Sequence, residues 1–251
     1  MARRVRADLL LLERGLCESR ARAQAEIMAG TVFSAERRVE KPGDLMREDA
    51  PLELRGAAIP WVSRGGLKLE HGLAHFGLDP TGRVVVDIGA STGGFTDVLL
   101  TRGAAQVHAV DVGRGQLAWK LAQDPRVVVH DQLNARHLTA ADIGRPFDAV
   151  TCDASFIPLA LVLAPALALA AAGAWVVALI KPQFEVGRER VGKGGVVRDT
   201  GLHDEVCRAV TAWLGRQPGW LVVGVTESPV LGPKGNREFL IAARKGGLGQ
   251  A

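Results

Sequence analysis

The sequence predicts an α/β protein: a mostly parallel, doubly wound sheet preceded by a small α+β unit. Three observations carry this. From residue 84 onward, β-branched apolar runs alternate with segments of helical period, the pattern of a parallel sheet covered by helices. The first run, Val84-Val85-Val86-Asp87-Ile88, opens into the glycine-rich stretch Gly89-Ala90-Ser91-Thr92-Gly93-Gly94 and then a helical segment from Phe95. The first 58 residues carry a separate apolar pattern, set off by the short stretch 56–60.

In order, strands are predicted near 84–88, 106–110, 126–130, 148–152, 174–180, 220–226 and 237–243. Helices are predicted near 95–102, 115–122, 139–143, 158–171 and 202–215. The last two strands are separated only by 229–236, so they read as an antiparallel hairpin closing a seven-stranded sheet. Residues 154–180 carry no charge and are long enough to span a bilayer. Pro158, Pro165 and Gly173 break the run, however, and it reads better as an Ala/Leu helix followed by a buried strand. Ahead of the sheet, Leu9 to Leu12 and Leu16 suggest one helix. Arg20 to Met28 form a second, capped by Ser19 and ended by Gly30. Short strands are expected at 31–33 and 52–54, with a turn at 41–44. The predicted organisation is thus 1–58, then a linker and leading helix over 59–80, then 81–246.

The 251 residues are 47% hydrophobic and 23% charged, a globular composition, with a formal net charge of +4 that is compatible with a nucleic-acid partner. Cys17, Cys152 and Cys207 lie far apart, which predicts neither a zinc site nor a disulfide framework and fits a reducing cytoplasm. The leucine run near the N-terminus is too short for a signal peptide.

The loop at 89–94 is built for a ligand. Glycines allow close backbone approach, and the following helix N-terminus favours polar or negative groups. About twenty residues on, Asp111 ends the second apolar run, where an acid is placed to bind ribose hydroxyls. The G-x-G-x-x-G dinucleotide pattern is absent, so the residues alone indicate a nucleoside-like cofactor. The run Asp87, Gly89, Ala90, Ser91, Gly93, Gly94, Phe95 resembles the S-adenosylmethionine loop of class I methyltransferases, particularly FtsJ-like ribose methyltransferases. That resemblance implies S-adenosylmethionine as cofactor, with Asp111 on its ribose and Asn134, after the third strand, near its adenine.

Four charged residues converge on the same rim. Asp153 and Lys181 end the fourth and fifth strands, where ligands of open α/β sheets bind. Glu238 begins the last strand; if that strand is antiparallel, its start lies on the same rim. Lys68 can reach the rim from the leading helix. Each alone reads as a solvated charge; together they match the Lys-Asp-Lys-Glu tetrad of FtsJ-like 2′-O-methyltransferases. The chemistry needs such a group, because a ribose hydroxyl is a poor nucleophile until its proton is removed. Lysine can remove it only if a second cation or desolvation lowers its pKa, which assigns the base to Lys181, with Lys68 as neighbouring cation and Asp153 and Glu238 as orienting groups. No metal is expected.

Six arginines fall within residues 3–22 against three acids. Arginine grips phosphate bidentately, so Arg3, Arg4, Arg6, Arg20 and Arg22 are candidate RNA contacts, as are Arg188, Arg190 and Lys193 in the loop at 187–195. The order Asp8-Leu9-Leu10-Leu11, Gly15-Leu16, Ser19-Arg20, Ala23-Gln24, Ile27, Gly30, Val32, Lys41-Pro42-Gly43 resembles an S4-type RNA-binding domain; Ser34-Ala35-Glu36 departs from it where that family often has an Asn-Gly-type turn. The run Ser63-Arg64-Gly65-Gly66-Leu67-Lys68-Leu69 is similar to the TlyA family of ribosomal RNA methyltransferases, which have the same order of domains. The resemblance implies methylation of cytidine 2′-hydroxyls in 16S and/or 23S ribosomal RNA, within assembled or assembling subunits, in the cytoplasm and without a membrane partner. The start Arg3-Arg4-Val5-Arg6-Ala7-Asp8 resembles the longer form of the family, which acts on both subunits. Two other readings compete: a haemolysin-like membrane-active protein, supported by 154–180 alone, and a non-catalytic RNA-binding protein, which would have no use for the tetrad.

Overall fold

The computed structural model describes residues 3–55 and 59–247; positions 56–58 of the predicted linker lie outside them. The chain divides into two compact units between Arg64 and Gly65. Residues 59–64 therefore go with the first unit, and the predicted leading helix goes with the second.

In the first unit, β1 (Arg4–Arg6) runs into α1 (Ala7–Glu13), and α2 (Arg20–Ala29) follows. Ser19 caps α2 by accepting from the Arg22 N–H at 3.1 Å, and Gly30, at φ +72°, ends it in the left-handed conformation. Then come β2 (Val32–Ser34), β3 (Arg37–Arg38), β4 (Leu45–Arg47) and β5 (Glu53–Leu54). β1 pairs antiparallel with β4, and β2 lies between β3 and β5. The β2–β3 hairpin turns on Ala35 and Glu36, with Ala35 at φ +51°. Its carbonyl accepts from Arg55 at 2.9 Å, which helps hold a conformation that alanine rarely adopts. Ala7, Leu11, Ala23, Ile27, Val32 and Val39 form the core. The sequence pattern did not reveal β1, β3 or β4, because two or three residues are too few to establish a period.

The second unit runs α3 (Gly65–Phe76), β6 (Val84–Ile88), α4 (Gly94–Thr101), β7 (Gln106–Asp111), α5 (Trp119–Ala122), β8 (Val127–Asp131), α6 (Ala140–Ile143), β9 (Ala149–Cys152), α7 (Leu159–Leu169), β10 (Trp175–Ile180), α8 (Pro182–Glu185), α9 (Thr200–Gly215), β11 (Trp220–Glu227) and β12 (Phe239–Lys245). The sheet order is β11-β12-β10-β9-β6-β7-β8. β12 is antiparallel to both β10 and β11, as the short final connection predicts. α7 and α9 cover one face of the sheet; α3 and α4 pack on the other. The charge-free stretch resolves into α7 and β10, and every residue of β10 is buried. Among the described residues, no helix is long and apolar enough to cross a membrane.

One predicted helix is much shorter than expected. Instead of 115–122, only Trp119–Ala122 is helical. The preceding loop is pinned by two strand-end acids: the Gly113 N–H donates to Asp111 at 2.7 Å and the Gly115 N–H to Asp131 at 2.8 Å. Those bonds hold the backbone away from helical pairing.

Candidate active site

β6 is flanked by β7 on one side and β9 on the other, so the strand order reverses there and a crevice opens beyond the strand ends. A cleft of about 680 Å³ occupies that place. Its polar wall includes Gly89, Ser91, Asp111 and Asn134; Leu133, Ile157, Leu161 and Val162 supply apolar surface. Such mixed walls suit a ligand with a flat apolar part and a few hydroxyls. Gly89, at φ +77°, lets the loop cross the chain after β9: a Cβ there would lie 3.0 Å from the Ala154 backbone. Asp111 accepts from the Ser91 N–H at 2.8 Å as well as from Gly113, so it ties both loops into one wall while each oxygen keeps a lone pair. Asn134 accepts from the Arg136 N–H at 3.1 Å, which orients the turn beside it.

Five residues of the predicted loop site are not brought to the cleft wall: Asp87, Ala90, Gly93, Gly94 and Phe95 lie behind it. Asp87 is fully buried and accepts from Thr96 at 2.7 Å and Thr151 at 2.9 Å, which ties α4 and β9 to β6. Burial pushes its carboxyl up to about 6 despite those two bonds. The loop therefore reaches the cleft through Gly89 and Ser91, and Asp87 is its support.

At the cleft's edge the four rim charges meet. Ile180 of β10 pairs with Phe239 of β12, so Lys181 and Glu238 emerge side by side. Lys68 lies on the core-facing stripe of α3 with Leu69, Gly72 and Leu73, and is only 7% exposed; it is not a surface lysine. Its ammonium donates to Glu238 Oε2 at 2.6 Å and lies 3.8 Å from Asp153 Oδ2. The Lys181 ammonium lies 2.5 Å from Asp153 Oδ1 and donates to the Asp153 carbonyl at 3.1 Å and to Ser155 Oγ at 2.8 Å. The result is an alternating chain, Glu238–Lys68–Asp153–Lys181–Ser155. Two cations balance two carboxylates, which is how buried charges are tolerated. Asp153 also lines the cleft, so the chain of charges and the cleft share a wall.

Residues 61–245 match the family described as FtsJ-like methyltransferase. The chain belongs to the FtsJ-like methyltransferase family. It is 47% identical over 245 residues to the 16S/23S rRNA (cytidine-2′-O)-methyltransferase TlyA of Mycobacterium tuberculosis, covering 97% of this chain and 91% of that one. It is also 47% identical over 251 residues to YqxC of Bacillus subtilis, named as an rRNA methyltransferase, covering 99% and 89%. A solved structure from Streptococcus thermophilus, named as a hemolysin, superposes with a TM-score of 0.77 at 43% identity, covering 98% of this chain and 90% of that one. The seven-stranded FtsJ-like unit has the class I methyltransferase fold.

Three polar partners in this FtsJ-like site were missed by sequence reasoning: Ser155 on Lys181, and Thr96 and Thr151 on Asp87. None had a readable signal, because small hydroxyl residues beside strand ends are ordinary. Phe156 was missed too. It lines the cleft, is 89% exposed at φ +66°, and meets Phe184 of α8 with ring centroids 4.9 Å apart. A large aromatic ring held out in a left-handed conformation is a strained arrangement of the kind found at ligand sites.

The predicted RNA contacts fall into distinct groups. In the first unit, buried Asp8 gathers Arg6, Arg20 and Gln24 at 2.9–3.0 Å, leaving both guanidiniums about half exposed. Arg3 lies 4.0 Å from Glu48, Arg22 pairs with Glu26 one turn along α2, and Arg4 is exposed on β1. In the FtsJ-like unit, Arg190 is held by Glu205 through two bonds of 2.6 Å, while Arg188 and Lys193 are exposed. Among the described residues, no group of three or more His, Cys, Asp or Glu gathers as a metal site.

Proposed function

We propose that this chain transfers a methyl group from S-adenosylmethionine to the ribose 2′-hydroxyl of cytidine in 16S and 23S ribosomal RNA, within ribosomal subunits of the cytoplasm. The observation that carries the reading is the buried charge chain Glu238–Lys68–Asp153–Lys181 at the edge of a nucleoside-sized cleft.

The cleft fits the cofactor by the chemistry of its walls: Asp111 can accept from ribose hydroxyls, Asn134 offers an amide for the adenine, and apolar side chains supply the remaining wall. When bound, S-adenosylmethionine supplies an electrophilic methyl group, and its in-line transfer requires mainly positioning. Lys181 serves as general base. The ammonium first releases a proton to solvent; the amine so formed takes the 2′-hydroxyl proton and becomes the ammonium again. Ser155 suits both states, since its hydroxyl accepts from the ammonium and can turn to donate to the neutral amine. Asp153 aims the amine, and Glu238 holds Lys68 beside Asp153. Phe156 offers an exposed ring on which a base can stack. The first unit, which ends at Arg64 and carries the S4-type reading over 1–58, supplies RNA affinity through Arg3, Arg4, Arg6, Arg20 and Arg22; Asp8 presets Arg6 and Arg20. Arg188, Arg190 and Lys193 add phosphate contacts from the catalytic unit.

The test is to map 2′-O-methylcytidine in 16S and 23S ribosomal RNA from a deletion strain, complemented with wild type or with Lys181→Ala. Marks should vanish on deletion and return only with wild type. Unchanged marks in the deletion strain would refute the reading.

A further inference from the structure

A second cavity, of about 250 Å³, lies in the FtsJ-like unit between segments 196–203 and 234–237. Arg198, Lys234 and Arg237 line it, together with Thr200 and His203. All three cations are exposed, and no carboxylate is in the lining. Asp199 caps α9 by accepting from the Gly201 N–H at 2.8 Å, and Arg237 is paired at 3.6 Å with Glu227, which is outside the lining.

The cavity's walls are held together by buried groups. Asn236, 2% exposed, accepts from the Val197 N–H and donates to the Gly195 carbonyl, each at 3.0 Å, clamping the two segments. His203, also buried, donates through Nε2 to the Val197 carbonyl at 2.9 Å. Lys234 stands at φ +61°, a conformation lysine rarely adopts, and its ammonium passes over Gly195, where a Cβ would lie 3.4 Å away. A strained lysine, a rigid clamp and three cations without a lining acid describe a preformed anion site.

We propose that this cavity binds an RNA backbone phosphate next to the methylated nucleotide. A phosphate matches the donors: two planar guanidinium forks, one ammonium and one hydroxyl for several oxygens. The volume, about 250 Å³ against about 680 Å³ for the larger cleft, admits a phosphate group. Arg237 directly precedes Glu238, so the cavity lies beside the rim at which the ribose would be presented. The inference rests on the ribosomal RNA reading and adds a phosphate contact that it does not contain.

The double variant Arg198→Ala/Lys234→Ala, the charge-conserving Lys234→Arg and the wild type are compared for ribosomal RNA affinity across a salt series. S-adenosylmethionine affinity is read by calorimetry, and inorganic phosphate is titrated separately. The double variant should bind RNA about tenfold more weakly and lose about one from the slope of log affinity against log salt. Its cofactor affinity should be unchanged, and Lys234→Arg should keep the wild-type slope. An unchanged slope and affinity in the double variant would overturn the proposal. Phosphate binding abolished by the double variant while RNA binding is untouched would also overturn it, assigning the cavity to free anions. A wild type that shows the expected salt effect but methylates no ribose would leave the cavity standing and remove the proposed function.

Discussion

Replacing Lys181 by arginine separates charge from proton transfer. The Lys181 ammonium donates to Ser155 Oγ at 2.8 Å and to the Asp153 carbonyl at 3.1 Å, and forms an ion pair with Asp153 Oδ1 at 2.5 Å. Arginine keeps the positive charge opposite Asp153, so the alternating charges persist and stability should change little. It cannot give up a proton near neutral pH. Loss of a general base costs about a hundredfold to ten-thousandfold in rate, or roughly 3–5 kcal/mol of barrier. Lys181→Ala should be equally inactive and also less stable by about 2 kcal/mol, because it strips one charged hydrogen bond and one ion pair from Asp153 and leaves Lys68 at 3.8 Å as that carboxylate's ion-pair partner. Single-turnover methyl transfer to ribosomal RNA, cofactor calorimetry and thermal unfolding read the three consequences separately. A Lys181→Arg enzyme that folds, binds cofactor and turns over near the wild-type rate would show that Lys181 only positions substrate.

Asp111→Ala removes the acceptor shared by the Ser91 and Gly113 amides and should weaken S-adenosylmethionine binding at least about tenfold, with RNA affinity intact; calorimetry decides. Asp87 is held up to about 6 by burial, above its unfolded value near 4, so its stabilising contribution is complete below the unfolded value and lost as pH rises through about 6. The stability difference between wild type and Asp87→Asn should therefore drift by about 2 kcal/mol against the wild type between pH 4 and 7, and denaturation midpoints that run parallel across that range would refute it. Burial opposes ionisation of Asp8, but hydrogen bonds from Arg6, Gln24 and Arg20 outweigh it and hold the carboxyl well below the usual range. Its contribution is present above the unfolded value and lost as pH falls toward the folded one. Asp8→Ala should cost roughly 2–3 kcal/mol and weaken RNA binding by releasing both arginines, measured by chemical denaturation and a salt series.

The linear sequence determined the strand–helix alternation, the charge-free run that became α7 and β10, and the glycine loop, because periodicity and backbone freedom are local properties. It also placed Asp153 and Lys181 at strand ends and so on one rim. Other features depended on packing between distant segments. Lys68 taken alone reads as a solvated charge, and only the tetrad resemblance brings it to the rim; its burial needs α3 to press its apolar stripe onto the sheet and carry the ammonium to Glu238, 170 positions away. The burial of Asp87 between Thr96 and Thr151 likewise comes from packing of α4 and β9 onto β6. Helix 115–122 has acceptable local propensity, yet Asp111 and Asp131 draw Gly113 and Gly115 out of helical pairing. Arg198, Lys234 and Arg237 are unremarkable charges until Asn236 clamps their segments together. Local propensity sets which elements form; which charges are buried, and against what partner, depends on the desolvation and pairing energies that only the packed structure creates.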